Sequence, residues 1–327
     1  MKWLWFGVAA VLGFIVFHQP VSSAGASVAS APESAKVGSV RVTLLSTMLA
    51  DQGIGEWGFA ALVEAGGHRI LFDTGARPDT VLQNAKELGV DLAAIRDVIL
   101  SHNHADHTGG LLTLRRELMK QNPQALSRAH VGRGIFWPRP ASSGDASMPA
   151  VKEAYEKLGG RFVEHDRPDP IQPGVWITGP VPRVHPERNW SGSGRVQTPE
   201  GLEEDTIPED LSLVFDTERG LVVISGCGHA GIVNTLEYAR KVVRAAPIHA
   251  ALGGFHLFQA SEEHLAWTAQ QLRAMGLKHF VGAHCTGIEA VFRIRELAGL
   301  NRETAVVGAV GASYSLEKGI DPLALAR

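Results

Sequence analysis

The segment Ser101-His102-Asn103-His104-Ala105-Asp106-His107-Thr108-Gly109-Gly110 constrains this chain more than any other stretch. It follows Val98-Ile99-Leu100, an apolar run of the length expected for a buried strand. Three histidines and one aspartate thus fall within six residues, and imidazole with carboxylate suits Zn²⁺, Fe or Mn²⁺. In a loop just past a strand, His102 and His104 can converge on one ion. Asp106 and His107, one turn further, can address a second. Thr108-Gly109-Gly110 then lets the backbone turn tightly into a helix. An isolated H-x-H pair is usually a solvated surface feature, whereas the full H-x-H-x-D-H pattern behind an apolar strand reads as a metal site. Four neighbouring side chains cannot fill two coordination spheres, so ligands from distant parts of the chain are required.

The rest of the chain offers them. Val40 to Leu45 and Phe59 to Val63 alternate like strands, and Gly66-Gly67 turns the second into His68 to Phe72 as a hairpin. Helices are expected from about Pro78 to Leu88, from Leu111 to Met119 and from Ala150 to Leu158. The stretch from Pro180 to Pro208 is rich in Pro, Gly, Ser and Glu and has no clear periodicity; it is a surface excursion or a lid. Three similar units follow. Strand Val222 to Ser225 leads to His229 and a helix through Tyr238. Strand Ile248 to Leu252 leads to His256 and a helix from Glu262 to Leu272. Strand His279 to Gly282 leads to His284 and a helix from Ile288 to Leu297. This alternation of strand and helix predicts an α/β domain.

With 327 residues, 45% of them hydrophobic, the chain can bury a sizeable core. A net charge of -3 and the lack of any dense Lys/Arg cluster give no reason to expect nucleic acid. Met1-Lys2, the uncharged run Trp3 to Phe17 and the small residues up to Ala26 describe a secretory signal peptide over 1–26, with an N-terminal anchor as the alternative. Residues 27–37 read as a flexible lead-in, and 38–327 as a single domain with a loop-rich insertion near 180–208. The protein is therefore expected to be exported to the periplasm, with no membrane contact beyond that possible anchor; its oligomeric state is not specified by these features. Two cysteines in an oxidising compartment suggest a disulfide. Cys227 and Cys285, however, each lie within two residues of a candidate site histidine. Facing thiols, or one thiol on a metal, are the other readings.

Taken together, the cluster resembles that of the metallo-β-lactamase superfamily. The branch it resembles most is the 7,8-dihydropterin-6-yl-methyl-4-(β-D-ribofuranosyl)aminobenzene 5'-phosphate synthase-like one. Supporting motifs are Glu56-Trp57-Gly58-Phe59, Phe72-Asp73-Thr74-Gly75, Gly226-Cys227-Gly228-His229, Gly253-Gly254-Phe255-His256-Leu257 and Gly282-Ala283-His284-Cys285-Thr286-Gly287. The resemblance implies the metallo-β-lactamase fold, a four-layer αβ/βα sandwich with the metal site at one edge of two facing sheets. It implies His102 and His104 around one ion and Asp106 and His107 around the other, with His284 completing the second site and His229 the best remaining ligand candidate. Asp73 would hydrogen-bond a ligand histidine. Asp106 would also orient the attacking water, and His256 would be a ligand or the acid that protonates a leaving group. Many members carry a bridging Asp in a Gly-Asp pair where this chain has Gly226-Cys227; Asp210 could reach the site instead. One or two Zn²⁺ are expected, with Fe or Mn as alternatives.

The implied activity is metal-dependent hydrolysis of a small ester, lactone or phosphodiester. The alternatives are a dihydropterin-related phosphate synthase-like enzyme, a β-lactamase, a non-catalytic metal- or ligand-binding protein, and iron redox chemistry. Trp190, His185 and Arg188 would hold a planar or anionic substrate or else be ordinary loop residues, and Trp57 would border the cleft.

Overall fold

Two sheets face each other and bury one apolar layer between them. In the first, the spatial order is Gly319–Asp321, Ser313–Ser315, Val40–Ser46, Ala60–Ala65, His68–Phe72, Asp97–Leu100, Arg128–Gly132, Arg161–His165. In the second, it is Ala305–Val307, His279–Gly282, Ile248–Gly253, Gly220–Ser225, Ser212–Thr217, Val175–Ile177, Asp169–Gln172. The computed structural model describes residues 1–4, 35–140 and 147–325, and everything below concerns the compact unit Ser34–Arg327. The signal-peptide or anchor reading and most of the 27–37 lead-in fall outside the described residues. Val37 is described: it is buried, and its N–H donates to the Asp216 carbonyl at 2.8 Å.

The period-2 alternation of side chains divides most of the described apolar residues into three large cores. Phe72, Ile99, Leu213, Phe215, Val222, Ile224 and Leu252 point into the layer between the sheets. On the same strands Val98 and Leu100 face outward, onto the helices Thr80–Glu87, Leu111–Leu118 and Met148–Lys157. Val214, Val223 and Ala251 likewise face the helices Ile232–Val242, Glu262–Ala274 and Ile288–Leu297. Helix, sheet, sheet and helix stack as four layers, the αβ/βα sandwich. Each Leu, Val, Ile or Phe so buried contributes about 1.5–3 kcal/mol against the chain entropy lost.

Topology then positions the site. Asp97–Leu100 runs parallel to His68–Phe72 and to Arg128–Gly132. In the other sheet, Ser225 pairs with Gly253 and Gly253 with Gly282 in three parallel strands. The loops carrying Cys227 and His229, His256, and His284 therefore leave that sheet at one level, at the carboxyl ends where α/β proteins place their sites.

The hairpin, the helices and the three strand-loop-helix units form as the periodicity predicts. The excursion does not: it contains a hairpin, Arg195–Thr198 with Gly201–Glu204, which buries only Val196 and Thr198. Arg128–Gly132, Arg161–His165 and Val175–Ile177 were also not anticipated. They are short, and they carry polar residues such as His130 and His165 turned inward.

Candidate metal centre

Six residues from both sheets meet at this edge. His102, His107 and His284 are fully buried, and His229 nearly so. Asp106 keeps about a fifth of its side chain exposed. Ligand atoms of His102, His104 and His229 lie within 4.8 Å of one another, as do those of Asp106, His107 and His284. All six are candidate ligands named from the sequence, which left the ion of His229 open.

Hydrogen bonding fixes which nitrogen of each ring faces inward. The Ser101 hydroxyl donates its one proton to Asp73 Oδ2 at 2.7 Å. Ser101 Oγ is then left to accept from His102 Nδ1 at 2.9 Å, so the lone pair of His102 sits on Nε2. His229 Nδ1 faces the Asn189 carbonyl, which can only accept, so its lone pair is on Nε2 as well. The two Nε2 atoms lie 3.2 Å apart. Two lone pairs cannot hydrogen-bond to each other, and burial holds both rings neutral, well below the ordinary histidine value, with the neighbouring histidines adding to the effect. Burial also lowers His104, to about 4. Neutral imidazoles converging lone pairs in a buried site are the donor set of a transition-metal ion.

The second set is arranged similarly. Asp73 Oδ2 accepts from His107 Nδ1 at 2.7 Å. That turns His107 Nε2 toward His284 Nε2 at 3.3 Å and Cys227 Sγ at 3.1 Å. Asp106 Oδ2 lies 3.3 Å from His284 Nε2. Burial works to raise the Asp106 carboxyl, but hydrogen bonding to His284 and the charge on His107 hold it well below the usual carboxylate range. Asp73 serves both sets, because its Oδ1 accepts the Ser101 N–H at 2.7 Å as well. Asp73, His256 and His284 adopt left-handed backbone conformations (φ 56°, 50° and 47°), three of the six such non-glycine residues among those described. Strain of this kind concentrates at functional sites.

Cys227 stands between the sets, sharing a potential ligand group with His102 and His107 and another with His256 and Cys285. The two sulfurs are 3.3 Å apart and both thiols are free, so the disulfide reading does not hold. Asp210 is a correction: it does not join the ligands. It shares no ligand group with them: its Oδ2 holds the Ala230 N–H at 2.9 Å, its Oδ1 is buried without a partner, and burial raises its carboxyl to about 6. His256 lies beside rather than within the two sets, its ring 4.8 Å from that of His229. Its backbone N–H donates to Cys285 Sγ at 3.3 Å, and its ring Nδ1 is buried without a partner.

A cavity of about 750 Å³ opens next to His104, His229 and His256. The excursion walls it with Arg188, Asn189, Trp190 and Arg195. His185 is a second correction, since it turns away to pair with Glu237 at 2.8 Å. Trp57 does not line this cavity: it is half exposed, with its ring 4.9 Å from that of His284 and 5.7 Å from that of Phe258. Sequence reasoning missed several supporting residues. Glu209 accepts from the Asn103 N–H and from Arg139, and Arg139 also pairs with Asp205. Glu56 holds the Ala76 and Arg77 N–H groups behind Asp73. No local pattern announces such long-range partners.

Comparison with known proteins agrees with this geometry. Residues 58–243 match the profile of the family described as the Metallo-beta-lactamase superfamily. The 7,8-dihydropterin-6-methyl-4-(beta-D-ribofuranosyl)-aminobenzene-5'-phosphate synthase of Methanocaldococcus jannaschii is 33% identical over 244 residues, 71% of this chain and 81% of that protein. The structure of Tm1679, described as a metal-dependent hydrolase of the beta-lactamase superfamily, superposes with a TM-score of 0.68 at 28% identity, covering 86% of this chain and 99% of that one. The metallo-beta-lactamase fold protein YhfI from Bacillus subtilis shares the fold at 13% identity, with a TM-score of 0.52 over 85% of this chain and 99% of its own.

Proposed function

The chain belongs to the metallo-beta-lactamase superfamily, and from that premise we propose that it is an exported metal-dependent hydrolase of a small ester, lactone or phosphodiester. The observation that carries the reading is the pair of inward lone pairs on His102 and His229, 3.2 Å apart in a buried site. Zn²⁺ fits this donor set best, in one or two copies, with Fe or Mn as alternatives. His102, His104 and His229 would hold one ion and Asp106, His107 and His284 the other, with Cys227 between. Such ions lower the pKa of water and polarise a carbonyl or phosphoryl oxygen.

The chain's own groups do the rest. Asp106, ionised and partly exposed, orients the attacking water. His256, at the cavity wall, delivers a proton to the leaving group. Arg188, Trp190 and Arg195 hold the part of the substrate that does not react. Ser101, Asp73 and the Asn189 carbonyl keep the imidazoles in one tautomer.

The test is metal analysis of purified protein followed by a panel of chromogenic esters, lactones, phosphodiesters and nitrocefin, run with wild type and His104→Ala. Metal-dependent turnover of one class, lost in His104→Ala, is expected; equal hydrolysis with and without metal ends the proposal. A synthase-like reading draws on the 33% identity to the Methanocaldococcus protein. Bond formation from dihydropterin substrates, without hydrolysis across the panel, would favour it.

A further inference from the structure

The excursion does more than wall the cavity. Between Val184 and Asn189 it is stapled to the loop that carries His229. The Val184 and His185 N–H groups donate to Asn234 Oδ1 at 2.8 and 2.7 Å. The Asn234 amide donates back to the His185 carbonyl at 3.2 Å and to Ala230 at 2.8 Å. Glu187, 2% exposed, accepts the Val233 and Asn234 N–H groups at 3.1 and 2.8 Å, at the first turn of the helix Ile232–Val242. The Asn189 amide donates to the Gly228 carbonyl at 3.0 Å. Gly231 makes room for this arrangement: its φ is 98°, and a Cβ there would lie 2.2 Å from Glu187 Oε2. Every one of these bonds spans about forty residues or more of chain, except Asn234 to Ala230, which ties the loop to itself.

We infer that residues 184–189 form a clamp that positions His229, with Glu187 and Asn234 as its positioning residues. One atom links the clamp to the ring. The Asn189 carbonyl is the acceptor that puts the proton of His229 on Nδ1 and leaves Nε2 free for a ligand. No side-chain substitution removes that carbonyl, and its place depends on Glu187 two residues before it. Without the clamp the His229 ring is free to take the other tautomer, which presents an N–H to the site in place of a lone pair. The same backbone carries Pro186, Arg188 and Trp190 into the cavity, so the orientation of His229 and the substrate wall share one support. The consequence for metal binding rests on the metal reading above; the consequence for the tautomer does not.

The experiment therefore reads both, in Glu187→Ala, Asn234→Ala and the milder Glu187→Gln, which keeps the side-chain volume but offers one amide N–H where an acceptor stood. In the metal-free protein, ¹⁵N-resolved NMR of the histidine rings reports the tautomer of His229. It is expected to be Nδ1–H in wild type and mixed or reversed in the variants, with helix content by circular dichroism unchanged. Chelator competition with Zn²⁺ is expected to show a 10- to 100-fold loss of affinity at one site, smaller for Glu187→Gln. Folded variants with the wild-type tautomer and wild-type Zn²⁺ affinity overturn the clamp. Should Glu187→Ala not fold, Glu187→Gln and Asn234→Ala give the same reading. A tautomer that shifts in protein that binds no Zn²⁺ at all would sink the metal reading and leave the clamp standing.

Discussion

Replacing Asp73 by Asn removes the one charge on which both ligand sets lean. The carboxylate is fully buried and accepts three hydrogen bonds of 2.7 Å, from the Ser101 N–H, the Ser101 hydroxyl and His107 Nδ1. Asn keeps the shape but offers one acceptor oxygen and one amide, so at least one donor faces another donor. A hydrogen bond to a charged group is worth about 1.5–3 kcal/mol, and a stranded buried donor costs about 1–3 kcal/mol more. The loss of fold stability should thus be on the order of 3–5 kcal/mol. Its pH dependence is the sharper test. Burial works to lower His107, yet the charge and hydrogen bond of Asp73, with Asp106, raise it from 6.5 to about 9 in the metal-free protein. A histidine raised in the fold gives stability that is fully present below 6.5 and lost as pH climbs through about 9, here about 3 kcal/mol. In Asp73→Asn burial prevails and that slope disappears. The gap between wild type and variant should then be widest below pH 6.5 and narrow by about 3 kcal/mol toward pH 9.5. Urea denaturation of both metal-free proteins from pH 6 to 9.5 measures it, and chelator competition should show Zn²⁺ bound 10- to 100-fold more weakly by the variant. Parallel stability profiles, or equal Zn²⁺ affinity, would refute the reasoning.

Gly226→Ala should disable the site without touching a ligand. Its Cβ would fall 2.1 Å from Ser101 Oγ and 2.6 Å from Asp73 Oδ2, and a stability loss of about 1–3 kcal/mol is expected by thermal unfolding, with reduced Zn²⁺ content by elemental analysis. Asp97 offers a contrast away from the centre. Burial works to raise it, but hydrogen bonds from His130 and Arg128 hold it below the usual carboxylate range. Its contribution is present above pH 3.8 and lost as pH falls further, so Asp97→Asn should cost about 1.5–3 kcal/mol at pH 7 and flatten the acid limb of a stability profile. Trp190→Ala, which strips an aromatic from the cavity wall, should raise KM about tenfold with kcat nearly unchanged, equivalent to about 1.4 kcal/mol of uniform binding; a fall in kcat alone would place Trp190 elsewhere in the reaction.

The parts of this molecule legible in sequence are those in which neighbouring residues act together. The His102 to His107 cluster is one, because its ligands sit in a single loop. The strand-end histidines His229 and His284 are another, because the strands that deliver them are apolar runs with clear limits. What stayed hidden depends on pairs far apart in the chain. Asn189 and His229 are forty residues apart, and the contact uses a main-chain carbonyl that every residue has. Glu209 reaches Asn103 across the sandwich, and nothing around Glu209 marks it out. Asp210 misled for the opposite reason: it sits next to a strand in the right region, yet one carboxylate oxygen holds the Ala230 N–H and the side chain falls outside both ligand sets. The 195–204 hairpin was hidden because it buries little, so its strands lack the apolar alternation that marks the others.

The candidate ligands come off both sheets: His102 to His107 off the first, His229 and His284 off the second. Neither half-sandwich owns a complete set. A metal seated there would act as a rivet, closing a circuit of chain from His102 to His284, and its binding energy would be drawn on whenever the two sheets separate. Chelation should therefore be felt far from the edge, as faster proteolysis and hydrogen exchange across the whole apolar layer between the sheets. Loading the centre would harden the entire sandwich.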